Sequence, residues 1–336
     1  MRDPATFTVD DPRFSTGQVV GPSMLTLDGA EHGRHRDPFA SPFRLDAVQE
    51  RFAALVAAET ERLIDAIEPD GRAELRRSLA GPLAATVTAQ AIGLEDTDTA
   101  TILAWYDAIV DGVTRVAAGN PVTPAAREAF AALRSSVEPL LDRDPGASLV
   151  AAAAGEAGGL TRAEAASNVA VLMFGGIETT EGMIANAILH LLAHPEQRAL
   201  VDGDRGLLPN AVEESLRLEP AAAVIDRYAT SDVRLGDAPI GKRDLVTISI
   251  AGANRDPAFF PDPDRFDVRR ENARYQIAFA SGPHVCIGMH LARLEAHTAL
   301  GRLLDRLPGL RLDPAHPTAP RGLVFRKPPR LHVVWG

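Results

Sequence analysis

The sequence predicts a mainly α protein carrying small β-sheets, on three observations. Apolar residues recur at helical spacing through most of the chain, the helical stretches are rich in alanine, and strand-forming runs are short and confined to the last third. The composition, 46% hydrophobic and 24% charged, is that of an ordinary globular protein. No internal repeat, low-complexity segment or break in charge distribution divides the chain, so residues 1–336 are read as a single domain.

Turn signals at Asp3-Pro4, Asp10-Asp11-Pro12, Gly21-Pro22 and Asp28-Gly29 predict an irregular segment over residues 1–30. Helical spacing begins at Glu31. Residues 46–68, 74–93, 97–117 and 124–142 each carry it, with proline or glycine between them. The small-residue tract 147–159 is expected to be a helix end and a loop. Thr161-Arg162-Ala163-Glu164 is a capping box, and nothing interrupts the helix it opens until Pro195. A short helix and a Gly/Asp loop follow, and Pro209 opens another helix. Residues 224–229 and 245–250 have strand composition. From about Gly288 the apolar positions Leu291, Leu294, Leu300, Leu303 and Leu304 predict a further helix. Residues 322–325 and 331–334 are expected to close the chain as a hairpin around Lys327-Pro328-Pro329.

Charge and composition exclude several functions. A net charge of −10 argues against nonspecific binding to nucleic acid or anionic membrane, which requires a basic footprint. No run of 18 apolar residues occurs, Met1-Arg2-Asp3-Pro4 begins no signal region, and one cysteine cannot build a disulfide framework. A soluble cytoplasmic protein is expected, with no nucleic-acid and no membrane partner. Lys242, Arg243, Arg265, Arg269, Arg270, Arg274, His290, Arg293 and Arg302 gather late in the chain, either as a solvated surface or as a docking patch for a small acidic electron-transfer protein.

Four stretches carry chemistry. Cys286, the one cysteine, lies in Phe279-Ala280-Ser281-Gly282-Pro283-His284-Val285-Cys286-Ile287-Gly288, just before a helix, where unpaired N–H groups favour a charged sulfur. A lone cysteine is more often a small buried hydrophobe; here the geometry suits an anionic ligand or a nucleophile. Within the long helix, Gly175-Gly176 cost about 1 kcal/mol each against alanine, so a flat cofactor or another helix must need their missing side chains. Glu178-Thr179 follows, a charged residue in an apolar run. Glu214 and Arg217 form an i,i+3 pair, and His32 and Arg36 lie four apart on one helical face.

The Cys286 loop resembles the heme-binding loop of the cytochrome P450 family, F-x-x-G-x-[HR]-x-C-x-G, at Phe279, Gly282, His284, Cys286 and Gly288. Gly175, Gly176, Glu178 and Thr179 are similar to the family's oxygen-activation motif, [AG]-G-x-[DE]-T. Glu214-x-x-Arg217 resembles its K-helix E-x-x-R, and His32-x-x-x-Arg36 its C-helix propionate pair. These occur in the family's order over residues 32–288. The resemblance implies a P450 fold that lacks most of the N-terminal A-helix, first-sheet and B-helix region, because His32 stands close to the start. An open or partner-completed distal pocket, serving a bulky or carrier-tethered substrate, is then expected.

The resemblance also implies roles. Cys286 would be the axial ligand of heme b, its donation tuned by N–H groups near Ile287 and Gly288. Phe279 would pack on the thiolate side, and Gly288 would let the following helix approach the porphyrin. His32, Arg36, Arg227 and His284 would neutralise the propionates. Gly175 and Gly176 would open a groove for O2, Thr179 would hydrogen-bond it, and Glu178 would relay protons. Glu214, Arg217 and Arg265 would form a structural network. Ser23, Met24, Leu25, Val171, Phe174, Ala222, Val224, Leu323, Val324 and Phe325 are the candidate substrate pocket. Ferredoxin and ferredoxin reductase would supply two electrons, and hydroxylation of a small-to-medium organic substrate is the default outcome. Epoxidation, desaturation, oxidative coupling and a non-oxygenating rearrangement would use the same residues. Two readings of other classes are cysteine-dependent acyl transfer, which leaves the glycine–acid–alcohol motif unexplained, and a non-catalytic heme-binding protein, which needs neither Glu178 nor Thr179.

Overall fold

The structure is a computed structural model that describes residues 1–143, 150–151 and 159–336. Its organising element is the helix that the capping box opens, Arg162–Ala193 (α7), 32 residues and roughly 48 Å long at 1.5 Å per residue. Thr161 N–H donates to Glu164 Oε2 at 2.8 Å while Glu164 N–H donates to the Thr161 hydroxyl at 3.3 Å. Nearly every residue from Ala165 to Leu191 is buried. A helix apolar on all sides must be surrounded, and this one is.

Around it pack α3 (Leu45–Ile67), α4 (Gly81–Ile92), α5 (Thr99–Ala117), α6 (Pro124–Val137), α9 (Leu208–Leu218) and α11 (Met289–Arg306). Of these, α4, α5, α6, α9 and α11 contact α7 directly, and α3 lies against α4 and α11. Asp98 and Thr123 cap α5 and α6 by accepting from Thr101 N–H and Ala126 N–H. Pro195 starts α8 (Pro195–Gly203) and Pro209 lies in the first turn of α9. The buried apolar residues form one cluster extending from Val19 to Val333.

The sheets are small. β3 (Val224–Ala229) is central in one, flanked by β1 (Phe7–Thr8) and β6 (Leu245–Ser249); β8 (His332–Val334) is central in another, between β2 (Arg72–Glu74) and β7 (Arg311–Leu312). β4 (Val233–Leu235) and β5 (Ala238–Ile240) form a two-stranded hairpin.

Three expectations are corrected. Residues 1–30 are not irregular throughout: β1 pairs antiparallel with β3, and α1 (Ser15–Val20) packs on α5. Their turn residues are real, but the short runs between them are fixed by tertiary pairing. The stretch 74–93 begins as strand β2 and passes through a π-helical turn, Arg76–Ala80, before α4. The Glu74 carboxylate sets that entry by accepting from Arg76 N–H at 3.0 Å and Arg77 N–H at 3.2 Å. The closing hairpin does not form. Phe325 bridges to Ala222, whereas β8 pairs with β2 and β7. Long-range pairing decided between partners that strand composition cannot distinguish. The tract 147–159 lies largely outside the described residues.

Candidate functional site

The Cys286 loop is held by its own backbone. Cys286 N–H donates to the Phe279 carbonyl at 2.8 Å and Val285 N–H to the Gly282 carbonyl at 3.0 Å. Gly282 takes φ +85°, and a Cβ there would stand 2.7 Å from the Met1 carbonyl oxygen, so conformation and space both require glycine. Arg293, on α11, lies 4.5 Å over the Phe279 ring and donates to both carboxylate oxygens of Glu213, at 2.6 and 3.0 Å. Phe279 thereby ties the loop to α9. Burial pushes the Cys286 thiol up; the Gly288 N–H, Arg36 and Arg293 oppose it without winning. Such a sulfur is a poor free nucleophile and a good ligand, because a metal cation supplies the charge its anion lacks.

Around the loop stands a ring of cationic and polar groups. Arg36, on α2 (Gly29–Ala40), donates through Nη2 to the Val285 carbonyl at 2.7 Å. The His32 and His284 rings lie 4.3 Å apart. His284 Nε2 is 2.8 Å from Asp28 Oδ1, and Asp28 Oδ2 accepts from the Thr8 hydroxyl at 2.6 Å and Val9 N–H at 2.9 Å. Burial pushes Asp28 up, but His284, Thr8 and Val9 outweigh it and hold the carboxyl well below its usual range. Asp28 was legible only as a turn residue. His284, expected to face a propionate, is committed to it. His32 is 6% exposed, and burial, with His284 and Arg36 adding to it, lowers its pKa to about 4. Arg227 is buried on β3, and its hydrogen bond among the described residues goes to the Asp226 carbonyl at 2.7 Å.

A second cluster lies on α7. Gly175 and Thr179 share a partly exposed face, and the Thr179 hydroxyl donates to the Gly175 carbonyl at 2.6 Å. The two glycines serve different ends. A Cβ at Gly175 would meet nothing within 4 Å, whereas one at Gly176 would stand 2.5 Å from Thr88 Oγ1. Gly176 is therefore explained by the approach of α4, which corrects the expectation that both glycines open one groove. Phe174 meets Phe325 edge to face at 5.4 Å, and Ala222 bridges Phe325, so these three pocket candidates come together. Val171 is buried beside them on α7, and Val224 is partly buried at the start of β3. Leu323 and Val324 are 78% and 38% exposed. Ser23 and Met24 are absorbed into the core: Ser23 N–H donates to the Thr26 hydroxyl at 2.9 Å and Met24 N–H to Asn168 Oδ1 at 2.7 Å. Leu25 is partly buried against the same core.

The E-x-x-R pair is fully buried. Arg217 donates to Glu214 at 2.7 and 2.9 Å and to the carbonyls of Asn254, Pro263 and Arg265. The third side chain of the network is Arg270, whose Nε donates to Glu214 Oε1 at 2.9 Å. Arg265 contributes only its carbonyl, and its own side chain is 63% exposed. This corrects the assignment of Arg265: both arginines lie in the same loop, and spacing does not say which one turns inward. Arg270, Arg293 and Arg302 are engaged by Glu214, Glu213 and Glu61, so the late basic cluster is partly an internal framework.

These residues fit a heme. His32 Nε2 is buried with no hydrogen-bond partner, the Arg227 guanidinium is underpaired, and Gly175 faces open space across the α7 face that carries Thr179. Orphaned donors of this kind are what two carboxylates of a bound group would satisfy. A buried sulfur beside a helix start, arginines and histidines around it and a small-residue helix face suit a heme protein of mainly helical fold.

Known proteins agree. The sequence model of the family described as "Cytochrome P450" matches residues 203–332. Cytochrome P450 107B1 of Saccharopolyspora erythraea is 35% identical over 90% of this chain and 73% of its own length. The cytochrome P450 monooxygenase PikC of Streptomyces venezuelae is 36% identical over 93% of this chain and 78% of its own. Among solved structures, P450BioI in complex with a fatty-acid-loaded acyl carrier protein superimposes with a TM-score of 0.86 at 29% identity, covering 98% of this chain and 89% of that one. The chain belongs to the cytochrome P450 family, and it is an oxidoreductase, a P450 monooxygenase using heme iron. Among the described residues, no helix is long and apolar enough to cross a membrane.

Two side chains that contact Glu178 left no signal in the sequence. Tyr106 and Lys327 both reach Glu178, from 72 residues upstream and from the C-terminal loop. Neither sits in a motif, and only the fold brings them there.

Proposed function

We propose that residues 1–336 form one heme-thiolate domain that hydroxylates a small-to-medium organic substrate of secondary metabolism. The observation that carries this is the pairing of an orphaned, buried His32 with Arg36 and Arg227 around the Cys286 loop, while Gly175 and Thr179 line an open helix face. Heme b, bound through Cys286, would supply two-electron activation of O2, with electrons from ferredoxin and its reductase. His32, Arg36 and Arg227 would hold the propionates by charge and hydrogen bonding, while His284 acts through Asp28, fixing the loop. The Ile287–Gly288 backbone donates toward the sulfur. Thr179 orients a proton donor on the distal face, and Glu178 holds the proton reserve behind it. Phe174, Val171, Ala222, Val224 and Phe325 form the substrate wall, and the exposed Leu323 and Val324 extend it outward.

A named relative supports a complex organic substrate of this kind: the 20-oxo-5-O-mycaminosyltylactone 23-monooxygenase of Streptomyces fradiae, 36% identical. The likeness to P450BioI bound to a loaded carrier protein supports a carrier-tethered one. A cytoplasmic location suits an unpaired thiol, which a reducing compartment preserves. The test is coupling. Thr179→Ala should consume reductant at a near-normal rate while product per electron pair falls several-fold, measured by oxygen uptake against product. Unchanged coupling would overturn the role of Thr179.

A further inference from the structure

Glu178 does not face the open side of α7. It is 5% exposed, and both of its oxygens are engaged: Oε1 lies 2.8 Å from Lys327 Nζ, and Oε2 accepts from the Tyr106 hydroxyl. Lys327 is shared. Its Nζ also pairs with Glu181 Oε2, nearly one helical turn further along α7, and lies 3.4 Å from the Tyr106 hydroxyl. Glu181 is 1% exposed, and its Oε1 lies 2.9 Å from Arg76 Nε. Arg76 then reaches the surface, donating through Nη1 to the Pro329 carbonyl at 2.7 Å. The backbone makes room for this cluster: a Cβ at Gly81 would stand 3.2 Å from Glu181 Oε1. Burial, with Glu178 and Glu181 adding to it, pushes the Tyr106 phenol far up, so it remains a donor.

The charge balance explains why the lysine is shared. Two buried carboxylates face two cations, Lys327 and Arg76, and the group is neutral. Were Lys327 paired with Glu178 alone, turning Glu178 away would leave a buried ammonium unpaired, at a cost of several kcal/mol. With Glu181 also on Nζ, that turn breaks the contacts of Glu178 with Lys327 and Tyr106 but leaves the buried ammonium paired. Glu178 and Thr179 are successive residues, roughly 100° apart around the helix, so a change of side-chain rotamer is what Glu178 needs to approach the Thr179 face.

We propose that Lys327 is a positioning residue that parks Glu178 away from the distal face, and that Glu181, by retaining Lys327, lets Glu178 swing toward Thr179 and return. This rests on the oxygen-activating role given to Glu178 and Thr179, and adds to it a gate built from the C-terminal loop. Lys327→Met leaves two buried carboxylates with one cation, a net buried charge that the site relieves by taking up a proton.

The test uses infrared spectra of the purified heme protein at pH 7, with no turnover. Lys327→Met should show a new protonated-carboxyl band that is absent from the wild type and from Lys327→Arg, and that Glu178→Gln in the Lys327→Met background removes or shifts. Glu295, buried and pushed well up by burial, is the same in every variant, so any band of its own cancels in the difference. In turnover, Glu181→Gln should slow product formation several-fold and raise the solvent isotope effect, with substrate KM unchanged. Lys327→Met without a new band, or Glu181→Gln with a wild-type isotope effect, overturns the gate. Neither result bears on Thr179, whose failure to uncouple would instead remove the reading beneath it.

Discussion

His32 couples heme binding to acidity through a single ring. Its pKa, lowered to about 4 from 6.5 chiefly by burial, means that the unfolded chain binds a proton there before the folded heme-free chain does. The unfolded state holds more protons between those values, so stability falls as pH drops from 6.5 toward 4. The span corresponds to roughly 3 kcal/mol at most, at about 1.4 kcal/mol per unit. Urea midpoints of the heme-free protein at pH 7.5 and 4.5 should differ, and His32→Gln should shrink the difference. Bound heme should shrink it too, since a propionate favours the charged ring that burial disfavours. An unchanged pH dependence in His32→Gln would remove His32 from this role. At this scale the sequence was informative wherever a residue's chemistry depends on its immediate neighbours. Cys286, Glu214 and Arg217 carry their meaning within ten residues. Arg270, Asp28, Tyr106 and Lys327 did not, because their partners lie 56 to 256 residues away.

At the scale of the element, α7 is a helix with two constraints written side by side. Gly176 answers to α4 and Gly175 to the open face. Gly176→Ala should cost about 1–3 kcal/mol, the range for overpacking a closed interface, because its Cβ would meet Thr88 Oγ1 at 2.5 Å. Thr88→Ala in the same chain should recover most of that loss. Gly175→Ala should leave the heme-free protein as stable as the wild type or more so, by helix propensity, and keep heme, since a Cβ there meets nothing within 4 Å; Gly175→Phe should weaken heme retention. Urea denaturation and heme titration of the variants separate these outcomes. A Gly175→Phe protein that binds heme as tightly as the wild type would show that the open face is not the cofactor's. Both glycines read alike in sequence; only a neighbouring helix distinguishes them. Boundaries set locally, such as the Thr161–Glu164 capping box and Pro195, fell where they were expected. Pairings set at long range did not, as β1 with β3 and Phe325 with Ala222 illustrate.

At the scale of the whole molecule, the fold brings α2 and the Asp28 turn onto the Cys286 loop, and separately gathers α7, the entry to β3 and the C-terminal loop around Phe174 and Phe325. The helical class was legible because periodicity is a local property, and the order of the motifs was legible because the chain preserves it. The sheets assemble from strands of two to six residues whose pairing composition cannot specify. On the proposed function, the Cys286 sulfur is a permanent iron ligand rather than a reactive thiol. This is tested most directly by the absorption spectrum of the reduced, carbon-monoxide-bound protein. The wild type should show the strongly red-shifted Soret band of thiolate ligation, and Cys286→Ser should lose that band while its heme remains held at His32, Arg36 and Arg227. A red-shifted band that survives in Cys286→Ser, or a heme-loaded wild type that never shows one, would contradict the account.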